Sequence, residues 1–305
     1  LCRRGLARRA DYEGQVRRAA VLLLTLGAQL AWACPTCTCG NPALLSIGAD
    51  QPFDGRLRFG SSVRAWGQAE PDGTTLRELR LDVLASWSPL RRWTFALNLP
   101  LQVRERTEAS LARERGFGPG ELELSARVLL VGAEGFRPRH LVSAVVGARL
   151  PTAPTLLDGT TRQPFALDAQ LGPGSFVPGG GLTWAAFIGD QVSTFVSLMG
   201  EVPIEGRYGL RIGPQLQLIA SGQYQPWKFL GVRAGVDARY EAPSALRGVL
   251  QTRFSGALFQ ALVDVVVSPV STVLLTAGAR IPFADLRAGQ PAQTPILLVA
   301  VVVDV

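Results

Sequence analysis

The sequence is poor in the residues that carry most site chemistry. Among 305 residues there is one His, one Met and one Lys, and there are only four Cys. A single imidazole and four thiols exclude an elaborate metalloenzyme or a multihaem protein. No Cys-x-x-Cys-His occurs, which excludes covalently attached c-type haem. Charge is sparse too, at 18% of residues against an average of about 25%. With 47% apolar residues the chain lacks the composition of a disordered protein. After Gly48 no run of 18 apolar residues occurs, so no transmembrane helix is expected in the body of the chain.

The formal net charge of +7 would ordinarily point to nucleic acid, but the excess is concentrated at one end. Arg3, Arg4, Arg8, Arg9, Arg17 and Arg18 stand against Asp11 and Glu13, so residues 1–33 carry six minus two, or +4. Seven minus four leaves +3 for residues 34–305. No basic stripe with interleaved aromatics remains there, so nucleic acid is not an expected partner.

What the first residues do contain is a leader pattern. Arg17-Arg18 precede Ala19 to Ala33, an apolar stretch interrupted only by Thr25 and Gln29 and ending Ala31-Trp32-Ala33. A basic start, a short apolar core and Ala-x-Ala read as a secretory signal peptide. Because residue 1 is Leu, the sequence either starts upstream of the true start codon, with residues 1–33 reading as signal peptide and upstream extension, or is a fragment. Cleavage after Ala33 would expose Cys34, followed by Pro-Thr-Cys37-Thr-Cys39. Two readings of this cluster stay open. Cys34, Cys37 and Cys39 form a soft-metal clamp suited to Cu(I) or Zn, facing a periplasmic metal or redox partner. Alternatively, two thiols form a disulfide and the third is free or lipidated. The expected organisation is therefore a leader over 1–33, a periplasmic segment over 34–54 and a folded body over 55–305.

That body alternates with period two. In Trp93-Thr-Phe95-Ala-Leu97-Asn-Leu99 the large apolar residues take odd positions. In Glu121-Leu-Glu123-Leu-Ser125-Ala-Arg127-Val the polar residues share one face. Between Leu230 and Tyr240 apolar residues alternate with Arg233, Asp237 and Arg239. A strand with one apolar and one polar face gives this pattern. About twelve such segments are expected, near 55–66, 75–88, 92–104, 120–131, 140–150, 174–189, 192–202, 208–224, 228–240, 250–267, 271–281 and 295–305. They exceed the usual soluble strand of about 5–6 residues and suit a tilted membrane-spanning one of at least about 9–11. Short turns alternate with longer loops, and the strand count is even. Together these predict an all-β fold, a transmembrane antiparallel β-barrel with outer-membrane lipid around it. Leu99-Pro100, Leu150-Pro151, Val202-Pro203, Ala242-Pro243 and Ile281-Pro282 are each expected to close an outward-running strand, since proline cannot donate to a ladder. Trp87, Trp93 and Trp227 fall at the short-turn ends, where a periplasmic aromatic girdle belongs.

The polar face would then line the lumen. Its expected bases are Arg56, Arg58, Arg64, Arg80, Arg104, Arg127, Arg149, Arg211, Arg233, Arg239, Arg253 and Arg280. Its expected acids are Asp82, Glu121, Glu123, Glu201, Asp237 and Glu241. An open lumen with that surplus favours anions, whereas Arg–carboxylate networks would seal it; the pattern leaves both open. The longest loop, 151–173, is equally compatible with folding inward or staying outside. A hydrolase is a poorer reading. His140 and Ser143 are an odd number of residues apart on one strand, so they project to opposite faces and form no catalytic pair. The glycine-rich stretches at 116–120 and 172–174 lie in loops with no strand–helix unit after them, and read as turns rather than phosphate cradles.

The leader, the twelve long strands and Gly147-Ala-Arg-Leu-Pro-Thr-Ala-Pro154 after an outward strand resemble a family of Gram-negative outer-membrane proteins. These are the transporter-like barrels grouped with the phenol-degradation MetA-pathway proteins. The resemblance is architectural, spans about residues 50–305, and implies passage of small or aromatic solutes across the outer membrane. It does not extend to the cysteine cluster.

Overall fold

The computed structural model describes residues 54–69, 73–132, 139–189, 191–227, 229–251, 255–288 and 294–305. The expected signal peptide and periplasmic cysteine segment lie outside the described residues.

Strand formation follows from the alternation. Among the described residues there are sixteen strands, in chain order β1 (Arg56–Ala69), β2 (Thr75–Leu90), β3 (Trp93–Thr107), β4 (Arg113–Pro119), β5 (Glu123–Val131), β6 (His140–Arg149), β7 (Val177–Ile188), β8 (Val192–Glu201), β9 (Leu210–Arg211), β10 (Gln215–Trp227), β11 (Leu230–Glu241), β12 (Ser244–Leu246), β13 (Val249–Gln251), β14 (Gly256–Val270), β15 (Val273–Asp285) and β16 (Ile296–Asp304). Each wall strand pairs antiparallel with its neighbours in sequence, and β1 pairs with both β2 and β16. The sheet thus closes on itself. Because β4 and β5 both pair with β3, at its upper and lower halves respectively, they form one interrupted stave, and the ring has twelve staves. Closure removes the open edges that a flat sheet of this length would present.

Alternation sorts the side chains. Along β2, Leu76, Glu78, Arg80, Asp82, Leu84, Ser86 and Ser88 are buried, while Leu79, Val83 and Trp87 are exposed. Outward positions elsewhere carry Phe59, Val63, Phe95, Leu97, Leu182, Leu218, Val236 and Val263, all exposed. In water this belt would be a continuous apolar patch; in a bilayer it is the lipid contact. The short turns 91–92 and 271–272 share a rim with Trp87, Trp93 and Trp227. Trp93 stacks on Phe95 at 6.2 Å and Trp227 on Phe229 at 6.2 Å. β1 and β16 are clasped at this rim as well, where the Arg58 guanidinium donates to Asp304 at 2.6 Å and Arg56 binds the same carboxylate. The long loops emerge at the opposite, extracellular rim.

Three expectations need correction. First, 105–119 is not one loop. Only residues 108–112 turn, and β4 returns along the upper half of β3. Second, two of the five prolines do not end strands. Pro100 lies inside β3, where its partner changes from β5, paired as far as Asn98, to β4, paired from Leu101. Its carbonyl accepts from Gly120 N at 2.7 Å, so its missing N–H faces the break between those strands. Pro282 lies inside β15 at a register shift against β14, a bulge that tolerates proline. Pro151, Pro203 and Pro243 do follow strand ends. Third, the stretch expected as one strand over 208–224 divides. Leu210–Arg211 leaves the wall as β9 and joins β12 and β13 in a small sheet at the extracellular end.

Candidate functional site: the barrel lumen

The inward face is of two kinds. Leu129, Leu141, Ala185, Phe195, Ile219 and Leu262 form one buried cluster with Phe187 packed against it. These residues come from six of the twelve staves, β5 to β8, β10 and β14, so one arc of the inward wall is lined by apolar side chains, as the interiors of small barrels commonly are. Parity explains the cluster. Val128-Leu129-Leu130-Val131 and Ala185-Ala186-Phe187-Ile188 are apolar without interruption, so both their faces are apolar.

The rest of the inward wall is charged and internally paired. Asp82 is 2% exposed and receives Arg64 at 2.7 Å, Arg80 at 2.7 Å and Asn98 Nδ2 at 3.1 Å. Arg80 also reaches Glu123 at 3.1 Å. Glu78 accepts from Trp66 Nε1 at 3.0 Å and from Arg104 Nε at 2.8 Å. Asp264, wholly inaccessible, bridges Arg233 at 2.7 Å and Arg280 at 2.8 Å. Asp237 accepts from Gln217 at 2.9 Å and from Arg239 at 3.3 Å. Arg149 binds Glu201 at 3.0 Å and stands 3.7 Å from Glu121. Buried charges persist where they are paired and hydrogen-bonded, and shared carboxylates pair more than one arginine here.

Of the residues expected to line the lumen, Arg58, Arg80, Arg104, Arg127, Arg149, Arg233, Arg239, Arg280, Asp82, Glu121, Glu123 and Asp237 occupy inward positions. Arg211 does not. It is exposed in β9 of the small outer sheet, because the wall strand begins only at Gln215. Arg253 and the clamp residues Cys34, Cys37 and Cys39 lie outside the described residues. Three inward acids were missed, Glu78, Asp264 and Asp304. Strand parity marks two of them, since Glu78 precedes Arg80 by two residues and Asp264 is the cross-strand partner of Arg233. With these three acids added, Arg211 off the wall and Arg253 outside the described residues, ten of the expected bases face nine acids.

Loop 151–173 folds inward. Arg104 donates to the carbonyl of Gln170 and, at 3.3 Å, to that of Asp168, while Arg106 Nε donates to the Asp168 carboxylate at 2.9 Å. Gln170 staples the loop to itself through Leu156 N at 2.8 Å and the carbonyls of Leu156 and Phe165. Gly174 N donates to Glu121 at 2.7 Å. Gly116 and Gly118 of β4 make this possible. A Cβ on Gly116 would stand 2.0 Å from Leu156 Cδ1, and one on Gly118 3.0 Å from Leu171.

Beneath the loop is a cavity of about 250 Å³, lined by Trp66, Leu167, Leu171, Leu210, Ile212 and Leu246 together with Glu78, Arg104, Glu121 and Glu241. A second cavity of about 100 Å³ lies against Asn98, Ser125, Gly147, Gly179 and Met199. Arg80, Glu123 and Arg149 line both, so one charged layer divides them. Gly147 and Gly179 supply the room where a side chain would fill the lumen.

His140 faces outward and stacks on Trp184 at 6.0 Å, whereas Ser143 is buried inside the wall. The wall separates the two groups, as their odd spacing requires.

A closed antiparallel ring with a lipid-facing apolar belt, short turns at one rim and long loops at the other defines an outer-membrane β-barrel. Among solved structures, an outer-membrane channel from Pseudomonas putida F1 is similar, with a TM-score of 0.68 at 13% identity over 85% of this chain and 98% of that one. A FadL homologue from Pseudomonas aeruginosa matches more loosely, with a TM-score of 0.42 at 10% identity over 91% of this chain and 94% of that one. No family model matches the chain, and no curated protein does.

Proposed function

We propose that the protein is a passive channel for small solutes in the outer membrane of a Gram-negative bacterium, and that its solutes are amphipathic or aromatic rather than simple anions. The observation that carries this reading is the upper cavity, whose lining combines apolar side chains with ion-paired ones. An apolar wall with a few fixed polar groups is the usual make-up of a small-molecule site. The anionic reading is the weaker of the two, because the arginines on which it depends share carboxylates within the wall. That the similar barrel from P. putida F1 is a channel supports the reading, and so does the resemblance of Gly147–Pro154 to the MetA-pathway barrels. The apolar cluster is then the constriction, and hydrophobic constrictions gate by dewetting. The test is planar-bilayer conductance of the refolded barrel, with folding checked by heat-modifiable gel mobility. Small unitary steps with weak ion selectivity are expected, enlarged by Leu141→Ala. Silence in both wild type and a folded Leu141→Ala/Phe195→Ala variant would reject the channel.

The same apolar cluster favours a second reading, a sealed structural barrel whose Cys34, Cys37 and Cys39 bind Cu(I) or Zn and meet a periplasmic redox partner. Metal titration with Cys37→Ser and Cys39→Ser variants tests it, and unchanged affinity in both would remove the clamp.

A further inference from the structure

The outward face of β2, β3 and β4 carries a charged cluster that the lumen does not use. Register places Leu79, Val103 and Phe117 side by side on one outward rung, with Phe117 71% exposed. The next outward rung toward the extracellular rim is Arg77, Glu105 and Arg115, and the one above it is Thr75, Thr107 and Arg113. Three arginines therefore share these two rungs with one acid, Glu105. Arg113 binds Glu105, and Arg115 stands 4.0 Å from it, yet their side chains are 59% and 67% exposed. The stem of Arg77 lies against Gly67 of β1, where a Cβ would meet its Cγ at 3.3 Å. That glycine lets the arginine lie along the wall.

The height of the cluster is informative. Arg77 is ten residues from Trp87 along β2, which at about 3.3 Å per residue and a tilt of about 40° is about 25 Å along the membrane normal. The apolar band of an outer-membrane barrel is about 25 Å tall. With Trp87 at the short-turn interface, Arg77, Arg113 and Arg115 stand at the level of the headgroups of the outer leaflet. On these two rungs three arginines stand with one acid, directly above lipid-facing Leu79 and Phe117.

We propose that this face is a binding site for the phosphorylated headgroup of an outer-leaflet glycolipid of the lipid A class, its acyl chains lying on Leu79, Val103 and Phe117. Guanidinium is suited to bidentate phosphate recognition, and basic side chains beside an apolar membrane surface read as lipid-headgroup sites. The site is independent of any traffic through the lumen. Glu105 orients Arg113 and Arg115 and competes with the phosphate for them.

The test is native mass spectrometry of the full detergent-solubilised barrel with added bisphosphorylated lipid A, fully dephosphorylated lipid A as comparison, and inorganic phosphate as competitor. Wild type is expected to retain bisphosphorylated lipid A and not the dephosphorylated form. Arg77→Ser/Arg113→Ser/Arg115→Ser should lower retention at least tenfold, at about fivefold per arginine. Glu105→Gln should raise it, and Arg91→Ser/Arg92→Ser at the opposite rim should leave it within twofold. If the triple variant lacks heat-modifiable mobility, Arg115→Ser alone replaces it, with about fivefold loss expected. Retention undiminished by the arginine substitutions, equal retention of dephosphorylated lipid A, or full displacement by millimolar inorganic phosphate would each overturn the proposal.

Discussion

Two parts of the inward face differ in chemistry. On β5 to β8, β10 and β14, Leu, Ile, Phe and Ala pack into one buried cluster. Elsewhere arginines and carboxylates pair with one another, and two cavities lie among them. Apolar side chains can close on one another without directional demands. Charged groups must meet at hydrogen-bonding geometry, and the lattice this builds leaves room. The contrast teaches that room in this barrel goes with polarity.

The largest effect should come from the charged set. Asp264→Ala leaves Arg233 and Arg280 buried without their shared partner, which should cost about 3–5 kcal/mol, read as a fall in the urea midpoint of heat-modifiable mobility. Leu141→Ala in the apolar cluster should cost about 2–4 kcal/mol and, unlike Asp264→Ala, should raise unitary conductance. Equal effects of the two substitutions on conductance would break the contrast between the two sets. Gly116→Ala drives a methyl into Leu156, an overpacking worth about 1–3 kcal/mol. Loop 151–173 should then leave the lumen, detected as new protease cleavage near residues 155–165 on intact vesicles. Asp168→Asn should be the mildest change, at or below about 1 kcal/mol, because Asp168 and Arg106 remain partly exposed at 28% and 16%. A small rise in conductance without loss of stability is expected. A drop as large as that of Asp264→Ala would mean that the loop, not the wall, holds the upper lumen.

The ring itself was legible because lipid and lumen differ in polarity, and a period of two writes that difference directly into residues such as Trp93 to Leu99. The aromatic rim and the separation of His140 from Ser143 follow from the same parity. Most of the inward charged positions were legible for that reason too. What sequence could not supply depends on approach between distant segments. Nothing local to Gly116 announces that Leu156 will lie against it, so the inward course of loop 151–173 could not be chosen. Arg211 was misplaced because alternation continues through Leu210–Ile212 although the ladder of the wall does not. Pro100 was taken to end a strand because a missing donor is tolerable inside one only where the partner strand also breaks, and that break lies twenty residues away at Gly120. The lumenal charge was overstated for a simpler reason. Glu78, Asp264 and Asp304 sit on the same parity as their arginines and had to be counted with them.

The clasp on Asp304 has a consequence for assembly. Arg56 and Arg58 meet a carboxylate 246 or more positions later in the chain, so this contact cannot form until all the intervening staves have taken their places. Until then β1 and β16 each present an unpaired ladder that any other chain could extend. The joint between first and last strand thus acts as a completeness check, turning a self-adhesive ribbon into a finished ring.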